Sequence, residues 1–133
     1  MEYRTEQYMD YVFSHEVSHR MDFLEYQSWK NDKFLKAIET CSEKVYDQRE
    51  EIQKWFDVGG KYEDSFALSD IIGALSNGLV DVPIGHDVSY WNEDPRNKPM
   101  EIFANLSSID VLELEEKEDI LKELFEAYKE LIK

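Results

Sequence analysis

The sequence predicts a mainly α-helical domain of four to five helices, with an irregular loop or short hairpin at about residues 79–98. Three observations carry that prediction. Long stretches run without Gly or Pro, apolar residues within them recur at steps of three, four and seven, and all three prolines fall in "LVDVPIGHDVSYWNEDPRNKP". The first two match the 3.6-residue helical period, and the third punctuates it.

Each element has its own signal. Thr5 is placed to cap a helix through "EQYMDYVFSHEVSHRMDFLEY". Asn31 or Asp32 starts a second, with Phe34, Ile38, Cys41, Val45, Ile52 and Trp55 as one apolar stripe ended by "VGG". A third fits "DSFALSDIIGALSNG", with Asn77-Gly78 as its C-terminal stop. "LVDVPI" and "VSYW" read as a short hairpin. Pro99 suits the first turn of "PMEIFANLSSI". The last helix, "EEKEDILKELFEAYKELIK", has acids first, lysines later and a face of Ile120, Leu121, Leu124, Phe125, Tyr128 and Leu131.

Composition narrows the function. The 133 residues predict a single domain, 1–133, with 42% hydrophobic residues to build a core. A net charge of −15 leaves no basic stripe for nucleic acid, so no nucleic-acid partner is expected. No apolar run approaches the roughly 20 residues of a membrane span, and no membrane partner is expected. The one cysteine, Cys41, makes no internal disulfide, which suits a cytoplasmic setting.

The chemistry-bearing stretch is "YVFSHEVSHRMDFL". Residues four apart share a helix face, so His15 and His19 can present both imidazoles to one zinc ion. Glu16, turned by about 100°, borders that ion as a general base. The bland reading is a pair of polar surface histidines. A catalytic zinc needs a third protein ligand, and Asp22, His86 and Glu101 are the candidates. Asp22 lies a further turn along the same face and suits hydrogen bonding to a ligand histidine, or plain surface exposure. Glu101 is an acid among Met100, Ile102, Phe103 and Leu106, a costly place unless it is paired or metal-bound. His86, after Gly85 and shortly before Tyr90, reads as a ligand, as a carbonyl-polarising group with Tyr90, or as a loop histidine without a role.

"HEVSHRMD" followed about eighty residues later by "EIFANL" resembles the gluzincin metallopeptidases. More narrowly it is similar to the anthrax lethal factor-type group, with its HExxHxxD and E-x-F-A helices. The span "SDIIGALSNG…GHDVSYW…PMEIFANL" resembles the metallopeptidase-like domain at the end of phage minor head (head morphogenesis) proteins, from about Phe13 to Leu106. The resemblance implies a zincin-like active-site helix, with His15, His19 and Glu101 as zinc ligands and Glu16 as general base. It further implies Asp22 as an orienting residue behind the ligands and His86 or Tyr90 as transition-state stabiliser. It implies a protein substrate or phage head proteins as partners, in the host cytoplasm or the virion.

Zincins place a small β-sheet before the active-site helix, whereas 14 helix-patterned residues precede His15 here. The expectation is therefore the C-terminal part of a longer protein, with the isolated chain weak or inactive in peptide-bond hydrolysis because it lacks the strand that would hold the substrate. The alternatives are a non-catalytic structural or assembly module with a vestigial metal site, and a small metal-free toxin- or antitoxin-like interaction domain.

Overall fold

The computed structural model describes residues 2–108 and 119–133, and among them regular structure is helical throughout. The helices are α1 (Glu2–Met21), α2 (Asp32–Asp47), α3 (Arg49–Phe56), α4 (Phe66–Ser76), α5 (Val88–Glu93), α6 (Asn97–Leu106) and α7 (Lys122–Leu131). Among the described residues there are seven α-helices where the sequence predicts four to five: the second predicted helix is divided, and the "VSYW" half of the predicted hairpin is helical.

Thr5 falls inside α1 rather than at its start, because the helix already begins at Glu2. Beyond Met21 the coil widens into a π turn, Asp22–Tyr26, and stops at Gln27, whose φ of 51° is left-handed. The Asp22 carboxylate, fully buried, secures this ending by accepting from the Ser28 backbone N–H at 2.7 Å and the Ser28 hydroxyl at 2.6 Å. Asn31 then caps α2, its Oδ1 accepting from the Phe34 N–H at 2.8 Å.

The α2 stripe buries Phe34, Ile38, Cys41 and Val45 as expected. The chain bends at Gln48, and after it Ile52 and Phe56 take the core positions. Trp55 is only partly buried, edge-on to Tyr62 with centroids 5.5 Å apart. Gly59, at φ 81°, ends this arm.

All eleven residues of α4 are buried, so it is the central helix. Its end follows the Asn77-Gly78 signal: both residues are left-handed, and the Gly78 N–H reaches back to the Gly73 carbonyl at 3.0 Å. The hairpin expected between 79 and 92 is absent among the described residues. Its backbone groups are claimed by α4 instead. The Ser69 hydroxyl donates to the Ile84 carbonyl and accepts from the Ile84 N–H, while Asp70 accepts from the His86 N–H. Asp87 then caps α5, turning "VSYW" into helix.

Pro99 lies in the first turn of α6, whose residues from Glu101 to Leu106 are all buried. α7 packs on α2, with Lys44 bonded to both oxygens of Glu123 at 2.5 and 2.7 Å. The acidic start expected for the last helix, before residue 119, and Ile109 lie outside the described residues. Among the described residues no helix is long and apolar enough to cross a membrane.

Among the described residues α1 lies against α6 and α4 by one face only. Its opposite face carries Met9, Phe13, Val17 and Met21, spaced four apart, and the stripe runs on to Leu24 beyond the helix end. All five are exposed, Phe13 by 72%.

Candidate metal centre

One cleft of about 600 Å³ opens between α1, α6 and the 84–90 segment, lined among others by His15, Glu16, His19, Asp70, His86, Tyr90 and Glu101. The one-turn spacing of His15 and His19 points both rings the same way, across α1's inner face to α6. There the His15 Nε2 meets Glu101 Oε2 at 2.5 Å and the His19 Nε2 meets Glu101 Oε1 at 3.1 Å. The two Nε2 atoms are 3.0 Å apart.

Glu101 is 5% exposed. Burial works against its charge, yet the hydrogen bonds from His15 and His19 outweigh that cost and hold its carboxyl well below the usual range. Burial likewise opposes the charge on His19, while the Glu101 bond and the carboxylates of Glu101, Glu16 and Asp22 raise its pKa overall. The Tyr90 hydroxyl donates to Glu101 Oε1 at 2.9 Å, and burial, with the Glu101 charge beside it, pushes that phenol up.

The donor set suits a common ion, since two imidazoles with a carboxylate are a set that zinc takes. Tetrahedral ligands about 2.0–2.2 Å from zinc would stand about 3.3–3.6 Å apart, a small widening of the distances here. The chain thus places two nitrogens and a carboxylate around one point, all within 4.8 Å.

The chain matches no family model, no curated protein and no solved structure. What the centre can do is therefore read from its own groups.

Glu16 is exposed and lines the cleft beside the histidine pair. Asp22 is not hydrogen-bonded to either histidine: its oxygens serve Ser28, and among the described residues neither the His15 nor the His19 Nδ1 has a partner. His86 stands on the far wall, its Nε2 3.9 Å from Glu101 Oε1 and its ring stacked on Tyr90 with centroids 4.1 Å apart. Its Nδ1 is 3.1 Å from Asp70 Oδ1, and that bond, ahead of the opposing effect of burial, raises the His86 pKa.

Sequence reasoning missed three of the groups that build this cleft: Asp70, Asn105 and Tyr11. Asp70 had a visible signal, because an acid between "FALS" and "IIGAL" is as anomalous as Glu101 among its apolar neighbours. Gly85 is needed where the loop meets α4, since a Cβ there would lie 3.1 Å from Val82 Cγ2 and 3.5 Å from Asp70 Oδ1.

Proposed function

We propose that this chain is a zinc-dependent metallopeptidase-like domain of the gluzincin type that hydrolyses peptide bonds, from a phage minor head (head morphogenesis) protein. The observation that carries the reading is the convergence of His15, His19 and Glu101 on one point at the cleft floor, with Glu16 beside them. The HExxHxxD and E-x-F-A resemblance supports the same residues as zinc ligands on a zincin-like active-site helix. The protein acts in the host cytoplasm or the virion, on a protein substrate or on other head proteins.

When bound there, zinc supplies Lewis acidity, lowering the pKa of water to about 7 and polarising a carbonyl. The chain supplies the rest. Glu16 accepts the proton of the attacking water and passes it to the leaving amine. His86, across the cleft, donates from Nε2 in its doubly protonated form, which the Asp70 bond to Nδ1 favours, to the carbonyl oxygen as negative charge develops on it. Tyr90, bonded to Glu101 and stacked on His86, steadies both ligand and donor.

A second reading, a non-catalytic assembly module that keeps the metal, is favoured by the bare apolar stripe along α1, a surface that assembly would cover. Two experiments decide. Elemental analysis after dialysis at neutral pH should give about one zinc per chain and none in His19→Ala; equal metal in both, or none in either, overturns the metal centre. Hydrolysis of casein by zinc-loaded protein should fall by a factor of about 10² to 10⁴ in Glu16→Gln with zinc retained. Unchanged hydrolysis in that variant excludes the mechanism, and zinc without hydrolysis favours the assembly module.

A further inference from the structure

Behind the cleft wall a chain of hydrogen bonds runs from α1 through α6 to α4 and the 84–90 loop. At its centre is Asn105, fully buried and one turn after Glu101. Its Nδ2 donates to Asp70 Oδ2 at 2.7 Å and to the Glu101 carbonyl at 2.9 Å. Its Oδ1 accepts from the Tyr11 hydroxyl at 2.7 Å. A carboxylate and a carbonyl only accept, so the amide orientation is forced. Tyr11 itself lies one turn before His15 on α1's inner face.

Asp70, 2% exposed, carries the chain onward. Its Oδ1 takes both the backbone N–H of His86, at 3.2 Å, and the ring Nδ1, at 3.1 Å. Both Asp70 oxygens are already acceptors, Oδ1 from the His86 N–H and Oδ2 from Asn105, so the ring nitrogen facing Oδ1 is the one that carries hydrogen, and Nε2 is turned toward Glu101.

We infer that Asn105 is a positioning residue: through Asp70 it sets the ring of His86 against the metal centre, and through Tyr11 it ties that setting to the helix bearing His15 and His19. The ring's chemical role rests on the metallopeptidase reading, but its orientation does not. Asn105 touches no substrate. It acts by holding Asp70 Oδ2, so that Oδ1 stays aimed at His86. An apolar residue of similar size would leave Asp70 free to turn and would disconnect α1 from the loop.

The test is imidazole 15N and N–H NMR of the full chain, at a fixed neutral pH well below the melting temperature, with and without zinc. In wild type, His86 should show a protected Nδ1–H resonance and the corresponding tautomer pattern. Asp70→Ala should abolish both. Asn105→Leu should shift or broaden the same signals, and Tyr11→Phe should move them in the same direction by less, with zinc per chain unchanged in both. If Asn105→Leu fails to fold, Tyr11→Phe decides. His86 signals unmoved by the Asn105 and Tyr11 substitutions overturn the inference, as do two ions per chain with one lost in Asp70→Ala, which would make Asp70 and His86 ligands. A wild type without zinc counts against the proposed function alone, because the NMR pattern is read in either state.

Discussion

Glu101 is the residue on which the cleft turns, and its environment sets a pH signature. Its folded-state pKa lies below the ordinary 4.5, so it contributes stability present above about pH 4.5 and lost as pH falls below it. His19 is raised above its ordinary 6.5, so its contribution is present below about pH 6.5 and is lost as pH rises through the folded value. Thermal melts of the metal-free chain should therefore show the contribution of this pair greatest between about pH 4.5 and 6.5. A profile unchanged in Glu101→Gln would contradict this. Zinc should shift the balance upward in pH, because it binds the deprotonated ligands. Asn105→Leu should cost at least about 1–3 kcal/mol, since Asp70 Oδ2 is left buried without its partner. Cys41 presents the opposite case. Fully buried, its thiol is pushed up to about 11, chiefly by burial. Labelling by a thiol reagent at neutral pH should proceed only as fast as the chain unfolds, and rapid native-state labelling would refute that.

At the scale of elements, α1 is a helix with a polar inner face and an apolar outer one, and α4 is one with no solvent face at all. The sequence shows α1's ligand spacing plainly, but its inner face is aromatic and polar while its outer face is apolar, the reverse of an ordinary amphipathic helix. Phe13→Lys should accordingly change stability by no more than about 0.5 kcal/mol, measured by urea titration. A large loss would mean that Phe13 packs on something in the chain. Gly85→Ala should cost about 1 kcal/mol or more, because the new methyl presses Val82 and approaches Asp70 at the point where the loop seats on α4. The predicted hairpin failed at this same seam. "VSYW" has strand-forming residues, but Ser69 and Asp70 bind the loop backbone that strand pairing would have used. The break at Gln48 was equally hidden, since neither Gly nor Pro marks it.

For the whole molecule, the helical class and most helix ends were legible, because periodicity, Asn caps and the Asn77-Gly78 stop act over a few residues. The candidate site was half legible for the same reason. His15, Glu16 and His19 are local to one turn, and Glu101 stood out as an acid in an apolar run. Asp70, Asn105 and Tyr11 come from three helices and meet only on folding, so no spacing rule connects them. That distance along the chain has a mechanical meaning. His15 and Glu101 are 86 positions apart, and an ion gripping both closes a loop that includes α2, α3, α4 and α5. Such a clasp removes conformations from the unfolded chain much as a covalent cross-link does, by up to about 4–5 kcal/mol for a loop of this length. Zinc should therefore raise the melting temperature of the entire helical assembly, α7 included, as one cooperative step, and a chelator should lower it in the same way.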